Sequence, residues 1–270
     1  MLCEVKTVLR AIRHLGPVGV GATSPQLFCA SDGQVYVVKL QNNRLGPKIL
    51  ANEYLAARFG ALVGLCFPSA DIIYIDEPVL RQSRWLRRAN VAPGPHFACR
   101  YLSDARYVQR RSLARAENKS ELAGVMLFDH MFFNLDRTYN RRNLIVRREE
   151  TGWRIYAIDN SHLFRRGVWT ADGLVKMAGR LTVNYRRSYG VLLKHFLTPR
   201  DFAPFVARVQ ALRDEQLTAL VADIPYEWLP DAAERQALVE FLRRRRDLVG
   251  EIADRLVRLI PDVNRRADKN

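Results

Sequence analysis

The sequence predicts an α+β chain of two lobes, a β-rich lobe over residues 1–101 and a mainly helical lobe over residues 102–270. Two patterns predict it. Short apolar runs separated by bends fill the first part, whereas beyond Leu102 apolar residues recur mostly at the 3.6-residue spacing of helices. Strands followed by helices argue for two packed units rather than one wound sheet, with the hinge expected near residues 100–104.

Residues 5–13 and 25–30 read as strands on either side of a Gly-rich bend, residues 16–24. Asp32-Gly33 is a hairpin dipeptide that supplies positive φ, and it leads into a third strand, residues 34–41. Residues 49–57 carry helical spacing. A strand at 70–75, an arginine-rich excursion and a strand at 97–102 complete the first lobe. In the second, residues 121–133 form a helix with Leu122, Val125, Met126 and Asp129 on one side. Two short strands, 143–148 and 153–159, are joined through residues 149–152, and helices are expected over 201–221 and 232–260.

Lys39 stands inside a run of Val35, Tyr36, Val37, Val38 and Leu40 that is apolar on both faces, as in a buried strand. Desolvating an unpaired ammonium costs several kcal/mol, roughly, so Lys39 needs a partner. Glu53 shares its helix face with Ile49, Leu50, Ala56 and Ala57, the neighbours three and four positions away. Both charges are set on surfaces that belong in a core, and the expectation is that they meet.

Composition narrows the class. Cys3, Cys29, Cys66 and Cys99 are scattered singly, which is neither a zinc pattern nor a secreted disulfide framework. Glu4, Lys6 and Arg10 precede any apolar stretch, so no signal peptide is expected, and no transmembrane segment is expected either. A cytoplasmic location follows. The net charge of +15 gathers in arginine clusters at 84–88, 106–115, 141–148, 186–187 and 243–246. Such a balance fits an anionic partner, nucleotide, nucleic acid or an acidic protein, and equally fits a solvated basic surface. Aromatic residues do not interleave with these arginines, so a stacking platform for single strands is not indicated.

A second constellation lies between the helix at 121–133 and the short strands. Asp136 is followed by Arg137, then by Asn140 and Asn143, the latter on the brink of an apolar strand. Asp136 is placed to accept or orient a hydroxyl proton, and Asn143 to ligate Mg²⁺ through its amide oxygen. The next strand ends in Asp159, the natural principal Mg²⁺ ligand, since that ion prefers oxygen donors. Arg137 orients Asp136 or pairs with another acid. His130 and His162 flank this region in structural roles, and Trp153 and Tyr156 are read as core. The order of Gly-rich bend, lysine, glutamate, Asp with Asn, then Asp is that of a phosphoryl-transfer site.

These residues resemble the HipA-like kinase family, in its short single-chain bacterial branch, over about residues 10–165. The stretches that carry the resemblance are 32–40, 52–56, 128–137, 143–145 and 158–162. The resemblance implies a bilobal protein-kinase-like fold and an enzyme that moves the γ-phosphoryl group of ATP, with Mg²⁺, to a hydroxyl, foremost Ser or Thr of a protein. It implies that Lys39 holds the α- and β-phosphates, that Glu53 fixes Lys39, that Asp136 is the catalytic base and that Asn143 and Asp159 hold the metal. Gly19, Gly21, Ala22, Thr23 and Ser24 would cover the phosphates, and the backbone around Ala98 and Arg100 would meet the adenine. The common family spacing falls on Arg141, so Asn140 competes with Asn143 for the metal. Two alternatives keep the fold: a small-molecule phosphotransferase, and a non-catalytic pseudokinase that binds nucleotide or nucleic acid.

Overall fold

A computed structural model describes residues 8–19, 21, 23–183 and 188–261. Cys3, Ala22 and the arginines at 186–187 therefore lie outside the described residues. Strands β1 (Leu9–Pro17), β2 (Gln26–Ala30) and β3 (Val35–Lys39) lead to helix α1 (Lys48–Val63). Next come β4 (Ala70–Ile75), the short helices α2 (Glu77–Gln82) and α3 (Arg84–Arg88), and β5 (Gly94–Arg100). The arginine-rich excursion is thus helical. Strand β6 (Arg106–Tyr107), α4 (Arg110–Arg115), α5 (Leu122–Met131) and α6 (Asp136–Tyr139) precede β7 (Leu144–Glu149) and β8 (Gly152–Ala157). The remainder is α7 (Ala171–Ala178), α8 (Ser188–His195), α9 (Pro199–Gln210), α10 (Asp214–Ala222), α11 (Ala232–Asp247) and α12 (Val249–Val257).

The first five strands close into a barrel in the order β1-β2-β3-β5-β4. Closure comes from a parallel contact between β1 and β4, with Leu9 opposite Ile73 and Arg10 opposite Tyr74. Alternation along the strands turns Phe28, Ala30, Val38, Ile73, Ile75 and Ala98 into the barrel, all fully buried. A separate sheet, β6-β7-β8, lies in the second part of the chain.

The helices have their own apolar core, and α1 packs into that core rather than into the barrel's. Phe59 of α1 meets Phe128 and Phe132 of the α5 region at ring-centroid distances of 5.8 and 5.0 Å. Each long helical pattern is divided by a new cap. Residues 201–221 form α9 and α10, where the Gln216 carboxamide accepts from the Arg213 backbone N–H at 3.0 Å. Residues 232–260 divide at Leu248 into α11 and α12, and the Asp231 carboxylate starts α11 by accepting from the N–H groups of Ala233 and Glu234. Among the described residues no helix is long and apolar enough to cross a membrane.

His96 of β5 is a buried neutral imidazole. Its Nδ1 accepts from the Gln41 N–H at 2.9 Å and its Nε2 donates to the Ala92 carbonyl at 3.2 Å. Burial pulls its pKa from the ordinary 6.5 down to about 4. The unfolded chain therefore binds the proton first, so this contribution to stability is complete above pH 6.5 and is lost as pH falls toward 4. The loss expected from this group is about 3 kcal/mol over that window. Unfolding midpoints measured across it should fall steeply, and His96→Asn, less stable at neutral pH, should show a shallower fall.

Candidate active site

A cleft of about 800 Å³ opens between the barrel and the β6-β7-β8 sheet, within the size range of small-molecule sites. Lys39, the last residue of β3, and Glu53, one turn into α1, both face it, and their side chains are almost fully buried. The Lys39 ammonium donates to a Glu53 carboxylate oxygen and, at 2.8 Å, to Oδ1 of Asp159 just beyond β8. The expected lysine–glutamate pair forms, and a second carboxylate joins it. Burial alone would depress the Lys39 pKa, but Asp159 and Glu53 together outweigh it and hold the ammonium charged. Burial pushes the Asp159 carboxyl up, yet the Lys39 ammonium and the Ser161 hydroxyl, which donates at 2.6 Å, take it well below the carboxylate range. Burial holds Glu53 above its ordinary value, and Lys39 offsets only part of that rise.

Asn52, beside Glu53, clamps α1 to the chain that follows Asp159. Its Nδ2 donates to the carbonyls of Ser161 and Gly167 at 3.0 and 2.8 Å, and its Oδ1 accepts from the Trp169 indole at 2.9 Å. Gly167 is required here. At φ 79°, any Cβ would stand 2.4 Å from the Ser161 carbonyl oxygen.

On the opposite wall, Asn143 Nδ2 donates to Asp136 Oδ2 at 2.6 Å, and Asn140 Nδ2 donates to Asn143 Oδ1 at 2.9 Å. Asn140 and Asn143 line the cleft, and Asp136 reaches it through Asn143. Asn140 also accepts from the Arg142 N–H at 3.1 Å, so it braces the turn. Gly21 and Thr23 of the bend line the cleft beside Val18 and Pro25, while Gly19 and Ser24 stand outside its wall. Gly16 continues β1, so the bend is shorter than the glycine pattern suggests. Ala98 points into the barrel core, and Cys99, Arg100 and Tyr101 face the cleft.

Behind the loop lies a network that single-residue reasoning missed. Arg137, fully buried, does not orient Asp136: its Nε donates to Asp129 Oδ2 at 2.8 Å. Its Nη1 donates to the carbonyls of Asn143 and Ile158, and its Nη2 to the Asn160 side chain. One guanidinium thus ties the Asp136–Asn143 loop to the Asp159 segment. Asn134 and the Tyr189 hydroxyl also donate to Asp129. The available signal was Asp129 itself, a carboxylate on the apolar side of α5. His130 Nδ1 pairs with the Met126 carbonyl, in keeping with a structural role.

Two oxygen donors line the cleft, the Asp159 carboxylate and the Asn143 amide carbonyl. That set suits a hard cation such as Mg²⁺, which takes one or two protein ligands and completes its shell with phosphate and water oxygens.

The family model of HipA-like kinases matches residues 12–176, more than half of the chain. The chain belongs to the HipA-like kinase family. The comparison with curated proteins returns no match. Among solved structures, the Helicobacter pylori proinflammatory kinase CtkA aligns at 12% identity with a TM-score of 0.59, over 91% of this chain and 95% of that one. The hydra Fam20 structure with sugar aligns at 13% identity with a TM-score of 0.50, over 93% and 85%. At these identities the likeness is one of fold, and the fold is kinase-like.

Replacing Arg137 with Met strands the buried Asp129 carboxylate. Breaking such a pair typically costs about 3–5 kcal/mol. Urea unfolding should register a loss of that size, and adding Asp129→Asn to the same chain should restore part of it.

Proposed function

We propose that this chain is an ATP- and Mg²⁺-dependent kinase that transfers the γ-phosphoryl group to a Ser or Thr hydroxyl of a protein. The observation that carries the reading is Lys39, held charged between Glu53 and Asp159 across a cleft from the Asp136–Asn143 pair. In this reading residues 1–101 form the nucleotide lobe and residues 102–270 the catalytic lobe. Lys39 binds the α- and β-phosphates, and Glu53 keeps it aimed. The bend at Gly21 and Thr23 closes over the phosphates with backbone N–H groups, with Gly19 and Ser24 flanking it. The adenine rests on the cleft-facing end of β5, against Cys99, Arg100 and the following Tyr101, rather than Ala98, which faces the barrel core.

Mg²⁺ would supply positive charge that offsets the charge of the phosphates. Asp159 and Asn143 would hold it, the carboxylate bringing charge and the amide a neutral oxygen. Asn143 is favoured over Asn140 because it is buried and bonded directly to Asp136. Asp136 receives the acceptor's hydroxyl proton as that oxygen attacks. Its partial exposure leaves room for an incoming side chain. A protein acceptor is preferred to a small metabolite because Asp136 and Asn140 are partly exposed and Tyr139 between them is exposed, which leaves the acceptor side accessible.

Calorimetric titration with ATP should show binding to the wild type that requires Mg²⁺ and that Asp159→Ala abolishes. Asp136→Asn should bind ATP as the wild type does while phosphate transfer falls by at least about 10²-fold. Undiminished transfer by Asp136→Asn would remove that residue from the chemistry. Label appearing only on small molecules, with none on protein Ser or Thr, would refute the acceptor class.

A further inference from the structure

Charge around the cleft does not balance with the groups assigned so far. Lys39 is one cation among three carboxylates, Glu53, Asp159 and Asp136. A divalent cation would only neutralise what the protein itself presents, and the triphosphate would bring its charge uncompensated into a partly buried site. Further cations must meet it. Three arginines line the cleft: Arg100, Arg106 and Arg142. Arg100 is engaged on the barrel side, donating to the Gln34 side chain and lying 5.9 Å from the Tyr36 ring centre. Arg106 belongs to the edge strand β6.

Arg142 differs from both. It immediately precedes Asn143, whose amide bonds Asp136 at 2.6 Å. Its backbone N–H is fixed by Asn140, and its guanidinium lies 5.7 Å from the Tyr107 ring centre, a face that also lines the cleft. Among the described residues it has no carboxylate partner. The adjoining arginine is directed elsewhere. The β6-β7 sheet has a cavity on each side: Tyr107 and its cross-strand partner Ile145 face the cleft, while Val108 and Leu144 line a second cavity of about 220 Å³. In the 3-10 turn between α6 and β7, Arg141 lines the second cavity, whereas Arg142 and Asn143 line the first.

We infer that Arg142 is a catalytic residue that binds the transferring phosphoryl group, an inference that rests on the kinase reading above. As the acceptor oxygen bonds to the γ-phosphorus, its proton passes to Asp136. The bond between that phosphorus and the bridging oxygen breaks, and ADP leaves with the electron pair. Arg142 donates N–H hydrogen bonds to the non-bridging γ-oxygens throughout. Its planar fork matches two such oxygens, which a lysine's point charge does not. The cation–π contact with Tyr107, 5.7 Å to the ring centre, biases the guanidinium toward the cleft.

The test is titration of ADP with Mg²⁺, alone and with aluminium fluoride as a planar mimic of the moving phosphoryl group. The proteins are the wild type, Arg142→Met, Arg142→Lys and Arg141→Met. ADP affinity should stay within about twofold in all four, since ADP lacks the group that Arg142 meets. Affinity for the aluminium fluoride complex should fall about 100-fold in Arg142→Met and about tenfold in Arg142→Lys, and hold in Arg141→Met. An equal loss for both ligands in Arg142→Met, or no loss for either, overturns the inference and leaves the kinase reading standing. So does a wild type that binds ADP but gains nothing from aluminium fluoride. A wild type that fails to bind ADP with Mg²⁺ overturns the kinase reading and this inference together.

Discussion

A lysine ammonium buried between two carboxylates sets the terms for the rest of this structure. Lys39, Glu53 and Asp159 come from the third strand, the first helix and the far side of the eighth strand, and Lys39 and Asp159 are separated by 120 positions. Neither Lys39 nor Glu53 is tolerable alone where it sits, because desolvating a charge without its partner costs several kcal/mol, roughly. The mutual satisfaction of all three requires the barrel, α1 and the β7-β8 hairpin to hold one relative placement. The cleft is the space that this placement leaves open, so the ion triad is both a structural constraint and the floor of the site.

Two further devices keep that placement. Asn52 fastens α1 to the chain after Asp159 through both ends of its amide. Arg137 binds the Asp136–Asn143 loop to the Asp159 segment through four different acceptors, with Asp129 supplying its counter-charge. Each replaces a run of weak surface contacts with a buried, fully hydrogen-bonded polar group, which is costly to break and so specifies geometry. The residues proposed to act on the phosphates thus stand on supports that never touch a substrate. α1 explains why the division of the cores matters. It carries Glu53 to the barrel's lysine while packing with the helices, so it links the two apolar clusters.

The basic character of the chain acquires a location from the same geometry. On the C-terminal helices Arg243 and Arg246 are bound to Asp214 and, respectively, to Glu240 and Asp247, so these two charges are locally countered. Arg106 of β6 and Arg142 of the turn before β7 line the cleft instead. A net charge of +15 fits an anionic partner as well as a solvated basic surface, and does not locate a site. Only the position of each guanidinium says where.

What the sequence determined by itself was local. Alternation and helical spacing showed that Lys39 and Glu53 both lie on buried faces, and desolvation then demanded a partner for each. The strand at Ala70–Ile75 and the ordered motif of a HipA-like kinase were equally legible. Tertiary structure decided the rest, because a period of 2 or 3.6 reports which face is buried but not what lies across from it. It brought Asp159 to Lys39, gave Arg137 to Asp129 rather than to Asp136, and turned Cys99 rather than Ala98 to the cleft. It also closed the barrel through a parallel contact between β1 and β4, a pairing that no hairpin signal announces. These are contacts between segments distant in the chain, set by packing and by the need to satisfy buried charge, and local pattern does not encode them.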